Sequence, residues 1–395
     1  MWEAISILVA VMDQQTAANT ASNQRQRLTE VAAVFLKLGV IGFGGPAVHI
    51  AMMEEEVVRK RKWMSAQHFL DLVGATNLIP GPNSTEMTMH CGYERAGWKG
   101  LVVAGICFIV PAVLITGMLA WAYQLYGQLP EVAPFIYGIK PAVLSVVFAV
   151  MISLGKKAVK NMQLVLMGIL ALIAVLAGMH EIYVLFGAGA IGMLLHYAQV
   201  NRSMKGFLPL PILQIIQEAP ALMNGKIFWI FLKIGSILYG SGYVLFAFLD
   251  AELVSTGWLS KQVLVDAIAV GQFTPGPVFS AATFIGWQLG GFGGSMAATV
   301  GIFLPSFLFV ALLQRLVPLL RKSPVMAAFL DTVNVVSVAI ILAVLVEMGQ
   351  QTISDWRMIL IAIAGFLVSF FYPRINSAFI IAGGALLGYI LTFVR

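Results

Sequence analysis

Long apolar runs alternate with short polar ones along almost the whole chain, and the interruptions recur at matched places. Apolar segments run over about 31–58, 67–95, 98–125, 132–155, 161–179 and 180–198, then over about 226–250, 260–290, 293–317, 325–349, 357–373 and 375–394. Many approach the roughly 20 residues that a helix needs to cross the hydrocarbon core of a bilayer. The pattern predicts an all-α polytopic membrane protein. Residues 1–30 read as an N-terminal tail, 31–198 as a first membrane repeat, 199–225 as a more polar, proline-marked linker, and 226–395 as a second membrane repeat. The tail has a short apolar stretch behind Glu3 rather than behind a basic lead. It reads as an interfacial helix or a disordered tail, not as a cleaved signal peptide.

The second set of segments copies the first. "VFLKLGVIGFGG" at 34–45 matches "IFLKIGSILYGS" at 230–241, and "WMSAQHFLDLVGATNLIPGP" at 63–82 matches "WLSKQVLVDAIAVGQFTPGP" at 258–277. Gly97, Gly100 and Pro111 fall on Gly291, Gly294 and Pro305. The matches include Lys, Trp, Asp, Gly and Pro, which apolar composition alone would not align. Basic loops alternate out of phase between the copies. Arg95 and Lys99 stand against "LGGFGGS", "YGQLPEVAP" against Arg321 and Lys322, and Lys156, Lys157 and Lys160 against "GQQTISD". Basic loops face the cytoplasm, so the halves are expected to be inverted repeats. Inversion demands an odd number of crossings per half, so at least one of the six segments crosses twice or dips in and returns.

Each half is interrupted by helix breakers. "NLIPGPNST" at 77–85 and "GQFTPGPVFS" at 271–280 place Pro80-Gly81-Pro82 and Pro275-Gly276-Pro277 inside apolar surroundings. An earlier break falls at Gly44-Gly45-Pro46, against Gly240-Ser241-Gly242 in the second half. Proline cannot continue a helix, and the backbone groups it frees are tolerated at membrane depth only against protein or a watery cavity. Matched breaks in repeated halves point to a transporter's binding site near the midplane. The residues that follow each break, Asn83, Ser84 and Thr85 or Ser280 and Thr283, open a new half-helix. Its N-terminus offers unpaired N–H groups and the positive end of the helix dipole, which suits a small anion. Asn77 and Gln272 sit at the same place upstream of the two breaks, and Thr274 directly precedes the second. The competing reading, a tight interfacial loop between two full helices, would account for one copy more easily than for two.

Charge inside apolar segments is expensive and a functional signal by default. Lys37 and Lys233 occupy equivalent positions, and paired lysines suit a dianion; snorkelling to the headgroups is the alternative. Lys140, aligned with Asn334, is a third candidate, with an interfacial anchor as its alternative. Glu54 matches Asp250, Glu56 matches Glu252 and Asp71 matches Asp266. Ser65 and Ser260 read as N-caps that put the last pair in a second helical turn. These acids are expected to be solvated and paired, although any could carry a coupling proton. His49 aligns with Leu245 and reads as a packed polar residue.

Composition narrows the classes. The chain is 59% hydrophobic and 11% charged, against about 25% charged in soluble domains. Its formal charge of +6 lies in clusters between apolar segments, so it speaks for membrane topology and not for nucleic acid. Cys91 and Cys107 form neither a disulfide framework nor a metal-ligand pattern. With no nucleotide fingerprint either, a redox enzyme is disfavoured and no cofactor is expected. The glycine runs suit close helix packing.

"FGGPAVHIAMMEEEVV", "NLIPGP", "GQFTPGPVFSAATFIGWQLGG" and "TVGIFLPSF" together resemble the two-domain, long-chain chromate transporter family, from about residue 30 to the C-terminus. The resemblance implies chromate efflux across a bacterial inner membrane, chromate resistance, and homologous halves of opposite orientation. Chromate is then the expected partner, with sulfate as a chemically similar oxyanion, alongside the lipid bilayer and a second copy of the chain in a homodimer. Residue by residue it points to Gly44, Gly45, Asn77, Pro80, Gly81, Pro82, Gln272, Thr274, Pro275, Gly276 and Pro277. An inward sulfate carrier and an anion channel are the alternatives within transport.

Overall fold

The computed structural model describes residues 23–43, 45–76, 79–127, 129, 131–200, 223–239, 244–320, 324–372 and 375–392, and all regular structure among them is helical. In the first repeat α1 spans 23–41. It is followed by α2 (Pro46–Met53), which continues as a π-helical turn over Glu54–Lys60, and by α3 (Ala66–Thr76), α4 (Asn83–Tyr126), α5 (Ala133–Ala158), α6 (Met162–Leu176) and α7 (Glu181–Val200). The second repeat has α8 (Met223–Ile237), α9 (Val244–Leu249) with a π-helical turn over Asp250–Val254, α10 (Lys261–Phe273), α11 (Ala281–Leu320), α12 (Pro324–Thr352), α13 (Trp356–Phe371) and α14 (Ser377–Thr392). Residues 23–30, read from sequence as tail, are the first turns of α1. The rest of that tail and most of the predicted linker lie outside the described residues.

The duplication extends to small devices. Ser65 and Ser260 cap α3 and α10, accepting from the His68 and Val263 N–H groups. Asn161 caps α6 through Leu164 N–H, and Asp355 caps α13 through the Arg357 and Met358 N–H groups. Each half also contains one sharp reversal. In α4 it falls at Ala96 and Gly97 (φ 65°), in α11 at Gly290 and Gly291 (φ 58°). Gly100 is packed so closely on Gly92 that a Cβ there would lie 2.1 Å from its carbonyl oxygen, and Gly286 and Gly294 meet in the same way. Residues so spaced along a straight helix would be about 12 Å apart. The chain therefore doubles back: a short limb enters from the Pro-Gly-Pro break, turns, and returns as a long crossing limb.

Four helices, α4, α5, α11 and α12, are long and apolar enough to cross a bilayer; α6, α7, α13 and α14 are apolar but shorter. Their outer faces leave Leu114, Met118, Leu170, Ile173, Phe371 and Phe379 exposed, the apolar surface that a multi-pass membrane protein turns to lipid. The halves interlock. Helix α5 is clasped by α13 and α14 of the other repeat, and α12 by α6 and α7, while α4 faces α11. Small residues permit this: Gly138 meets Gly384 and Gly388, and at the equivalent crossing Thr332 meets Gly192. Exchanging the halves leaves this pattern of helix contacts unchanged.

Candidate functional site

Each Pro-Gly-Pro break is held by the other repeat. The Gly81 N–H donates to the Leu238 carbonyl at 2.8 Å, and the Gly276 N–H donates to the Gly42 carbonyl at 2.8 Å. Gly42 and Leu238 are the equivalent residues just past the ends of α1 and α8. The first interruption of one half thus docks on the second interruption of the other, twice. Both glycines have positive φ, 136° at Gly81 and 85° at Gly276, which explains the residue type: a side chain in that conformation costs about 1–2 kcal/mol. Gly45 (φ 82°) and Pro46 open α2 past the first break.

Around Gly276 the surroundings are hydroxylic and neutral. A Cβ there would touch Ala112 and approach the Gly39 and Phe108 carbonyls. In the turn that follows, Ser280 lies 3.4 Å from Thr274 Oγ1 and accepts a hydrogen bond from Thr116 of the first repeat at 3.1 Å. Thr116, Thr274 and Ser280 are all buried. Nearby, His49 Nε2 stands 2.8 Å from the Gly42 carbonyl, which needs a donor, so Nδ1 is left to accept from the Ser84 hydroxyl at 3.3 Å. With Phe108 in a T-shaped contact 5.3 Å from its ring, His49 is packed and paired, as its sequence context suggested.

Around Gly81 the surroundings are acidic. Glu86, in the first turn of α4, places Oε1 where a Gly81 Cβ would come within 2.1 Å, and Ser306 Oγ lies 2.7 Å from the same point. Glu86 and Ser306 are fully buried. Sequence reasoning missed both, along with Thr116. For Glu86 a signal existed: it is an acid well inside an apolar segment, which by itself marks function.

The other candidates separate. Pro80, Gly81, Pro82, Gln272, Thr274, Pro275, Gly276 and Pro277 are buried at the two breaks, with Asn83 half-buried at the start of α4. Gly44 and Asn77 lie outside the described residues. Lys37 is occupied by Glu56 at 2.8 Å and Lys233 by Glu252 at 2.6 Å, the same pair in each repeat. Both lysines are substantially exposed, with 51% and 39% of their side-chain surface accessible. Lys140 lies 3.9 Å from Asp266 of the other repeat, whose second oxygen accepts from Tyr123 at 2.7 Å. Asn334, the counterpart of Lys140, is half-buried in α12.

Solvation of the paired acids is corrected by the structure. Asp266, Asp250 and Glu56 are all buried, because helices of the interlocked halves and the basic side chains themselves cover them. Their pairing holds: Asp250 accepts from Lys261 at 3.0 Å, and Glu56 from Lys37, Lys60 and Arg61. A cavity of about 560 Å³ opens between α1 and α2, lined by Lys37, Ile41, Val48, Glu56 and Lys60 among others. It runs from this charged cluster to the residues flanking the Gly42–Gly45 break.

Comparison with known proteins brings the repeats and the relatives together. A family model described as "Chromate transporter" matches residues 29–193 and again 225–389. A probable chromate transport protein of Synechococcus elongatus is 29% identical over 353 residues, covering 87% of this chain and 90% of its own. The chromate transport protein of Cupriavidus metallidurans is 28% identical over 389 residues, 96% of each chain. That of Pseudomonas aeruginosa is 26% identical over 383 residues, 92% of each chain. No solved structure matches.

Proposed function

The chain belongs to the chromate transporter family, and from that premise we propose that it is a secondary carrier exporting chromate from the cytoplasm, with its binding site where the breaks of the two halves meet. The observation that carries this reading is the exchanged pair of hydrogen bonds, Gly81 to Leu238 and Gly276 to Gly42. Four helix interruptions, far apart in sequence, are drawn to two equivalent junctions between the halves, where a rocking of one half against the other would open and close them. That is the arrangement in which alternating access works around a fixed site.

The anion is received at the second break. Thr116, Thr274 and Ser280 supply hydroxyl donors, and the helical turn after Pro277 adds the positive end of its dipole. No acid stands in its first turn. The first break is less suited to a dianion, because Glu86 already occupies the equivalent position. Lys37 and Lys60 line the cavity leading to the Gly42–Gly45 break together with Glu55 and Glu56, so the lining is charged but balanced. Lys140 is held by Asp266 of the other repeat.

Inverted halves, an inner-membrane location and chromate resistance belong to the same proposal; the loop charges support the inversion, and the names of the relatives support chromate as the substrate. Direction has a physical rationale. Moving a dianion outward through 100 mV, negative inside, releases about 4.6 kcal/mol, twice the roughly 2.3 kcal/mol for one charge. Chromate uptake into everted membrane vesicles, with and without an energised membrane and with excess sulfate, tests it. Saturable, energised accumulation that sulfate reduces is the expected result. Movement of sulfate alone would replace the substrate, and movement of neither would overturn the reading.

A further inference from the structure

Among the described residues, each buried acid but one is answered by a basic side chain. Glu56 has Lys37, Asp250 has Lys261, and Asp266 has Lys140 and Tyr123. Glu86 is fully buried, and its carboxyl meets the Ser306 hydroxyl but no basic side chain, while Thr85 Oγ1 next to it in the chain has no hydrogen-bond partner. The Glu86 carboxyl and the Ser306 hydroxyl converge on one glycine, Gly81, at the point where the first repeat is bonded to the second.

The surroundings supply no permanent counter-charge. Helix α11, which brings Ser306, carries no charged residue between 281 and 312. The segment after α8 brings the Tyr239 phenol within electrostatic reach of Glu86. From α2, His49 is turned to the Gly42 carbonyl and to Ser84. On α4 itself the next titratable group is His90, which lies within electrostatic reach of His68. Lys37 and Lys233 are taken by their own glutamates. A lone carboxylate removed from water is costly, and such groups neutralise instead. The carboxyl already touches Gly81 and faces Ser306, so the neutralising particle at this spot is a proton and not a hydrated metal ion.

We propose that Glu86 is a proton-carrying site linked to the anion site, holding a proton while the two halves are joined at the Gly81–Leu238 contact and releasing it when they part and water enters. This rests on the carrier reading above. An ionised Glu86 would repel a dianion held at the adjoining junction, so proton and anion favour each other's binding, and by linkage the effect is reciprocal. The proton then travels with the anion. Each turnover moves one net charge rather than two.

The test uses the purified full-length chain in liposomes, recording chromate movement, an internal pH dye and the charge moved under a potassium diffusion potential. In the wild type one proton should accompany each chromate. In Glu86→Gln the co-moving proton should vanish and the net charge per chromate should double, while Glu86→Asp should restore the proton. Wild-type chromate movement without a proton, or proton movement that survives in Glu86→Gln, overturns the proposal. So does a sodium requirement that Glu86→Gln removes. An infrared measurement on the same protein decides the proton site without any flux: the carbonyl band of a protonated carboxyl at neutral pH should be present in the wild type and lost in Glu86→Gln. Its absence from the wild type, or its persistence in the variant, overturns the proposal whichever anion is carried. A band that behaves as expected in a protein moving no oxyanion would leave Glu86 a proton site and remove the carrier reading.

Discussion

The first Pro-Gly-Pro break has Glu86 facing Ser306, where the second, at the equivalent positions, has Ala281 and Ala112. The backbone around these positions is shared: the positive-φ glycine, the flanking prolines, the bond to the opposite repeat, the limb that turns back at Gly97 or Gly291. Duplication supplied one scaffold twice, and divergence at a few side chains gave the copies opposite electrostatic character. A helix N-terminus attracts negative charge. In the first repeat the protein's own buried carboxyl fills that place; in the second it is left to hydroxyls and to whatever anion arrives. Two identical junctions would be two anion sites or two acid sites, and neither arrangement couples one to the other.

The most severe way to break the comparison is to close both junctions. Gly81→Leu and Gly276→Leu each force a side chain into left-handed backbone, at about 1–2 kcal/mol, and into contacts already occupied by Glu86 and Ser306 or by Ala112. Chromate flux should fall by roughly two orders of magnitude or more in both, a barrier increase of about 2.7 kcal/mol, with the protein still in the membrane. Normal flux in both variants would remove the junctions from the transport path.

A subtler change makes the second break resemble the first. Ala281→Glu introduces an acid where the anion is received, and chromate affinity measured on monodisperse protein should drop at least about tenfold, the equivalent of 1.4 kcal/mol. Ala281→Ser, which adds no charge, should stay near the wild type. Equal affinities in Ala281→Glu and wild type would mean that the difference between the breaks has no bearing on the substrate. Smaller still are the hydroxyls. Thr116→Val and Ser280→Ala each remove one hydrogen-bonding group, worth about 1 kcal/mol, so the dissociation constant for chromate should rise by about fivefold. No rise in either would move the anion away from this turn.

How much of this was legible follows from what each residue touches. The duplication and the breaks showed themselves because Lys, Trp, Asp, Gly and Pro repeat in register, and capping serines or proline breakers act locally. The Lys37–Glu56 and Lys233–Glu252 pairs, each 19 residues apart, were within reach of the same alignment. The junctions were not, since no local pattern tells Gly81 that its acceptor is Leu238. Asp266 read as solvated because its neighbours in sequence are cap residues; the groups that bury it, Lys140 and Tyr123, come from the other repeat. Glu86 escaped for a different reason. Carboxylates were weighed in matched pairs, and a residue whose counterpart is alanine falls out of such a comparison just when it carries the asymmetry.

The mildest change tests the shared scaffold and not the divergence. Gly97 and Gly291 reverse the chain at φ 65° and 58°, and a Cβ at either would meet nothing within 4 Å. Alanine there adds no clash, so its cost is that of the left-handed backbone alone, about 1–2 kcal/mol. For a chain of this size such a loss lowers the unfolding midpoint by about 1–4 °C. Because the surroundings are equally open, Gly97→Ala and Gly291→Ala should lower it by the same amount, unlike every substitution at the breaks. Unequal shifts would show that the two reversals are not equivalent, and that the halves diverge in their scaffold as well as in the side chains hung on it.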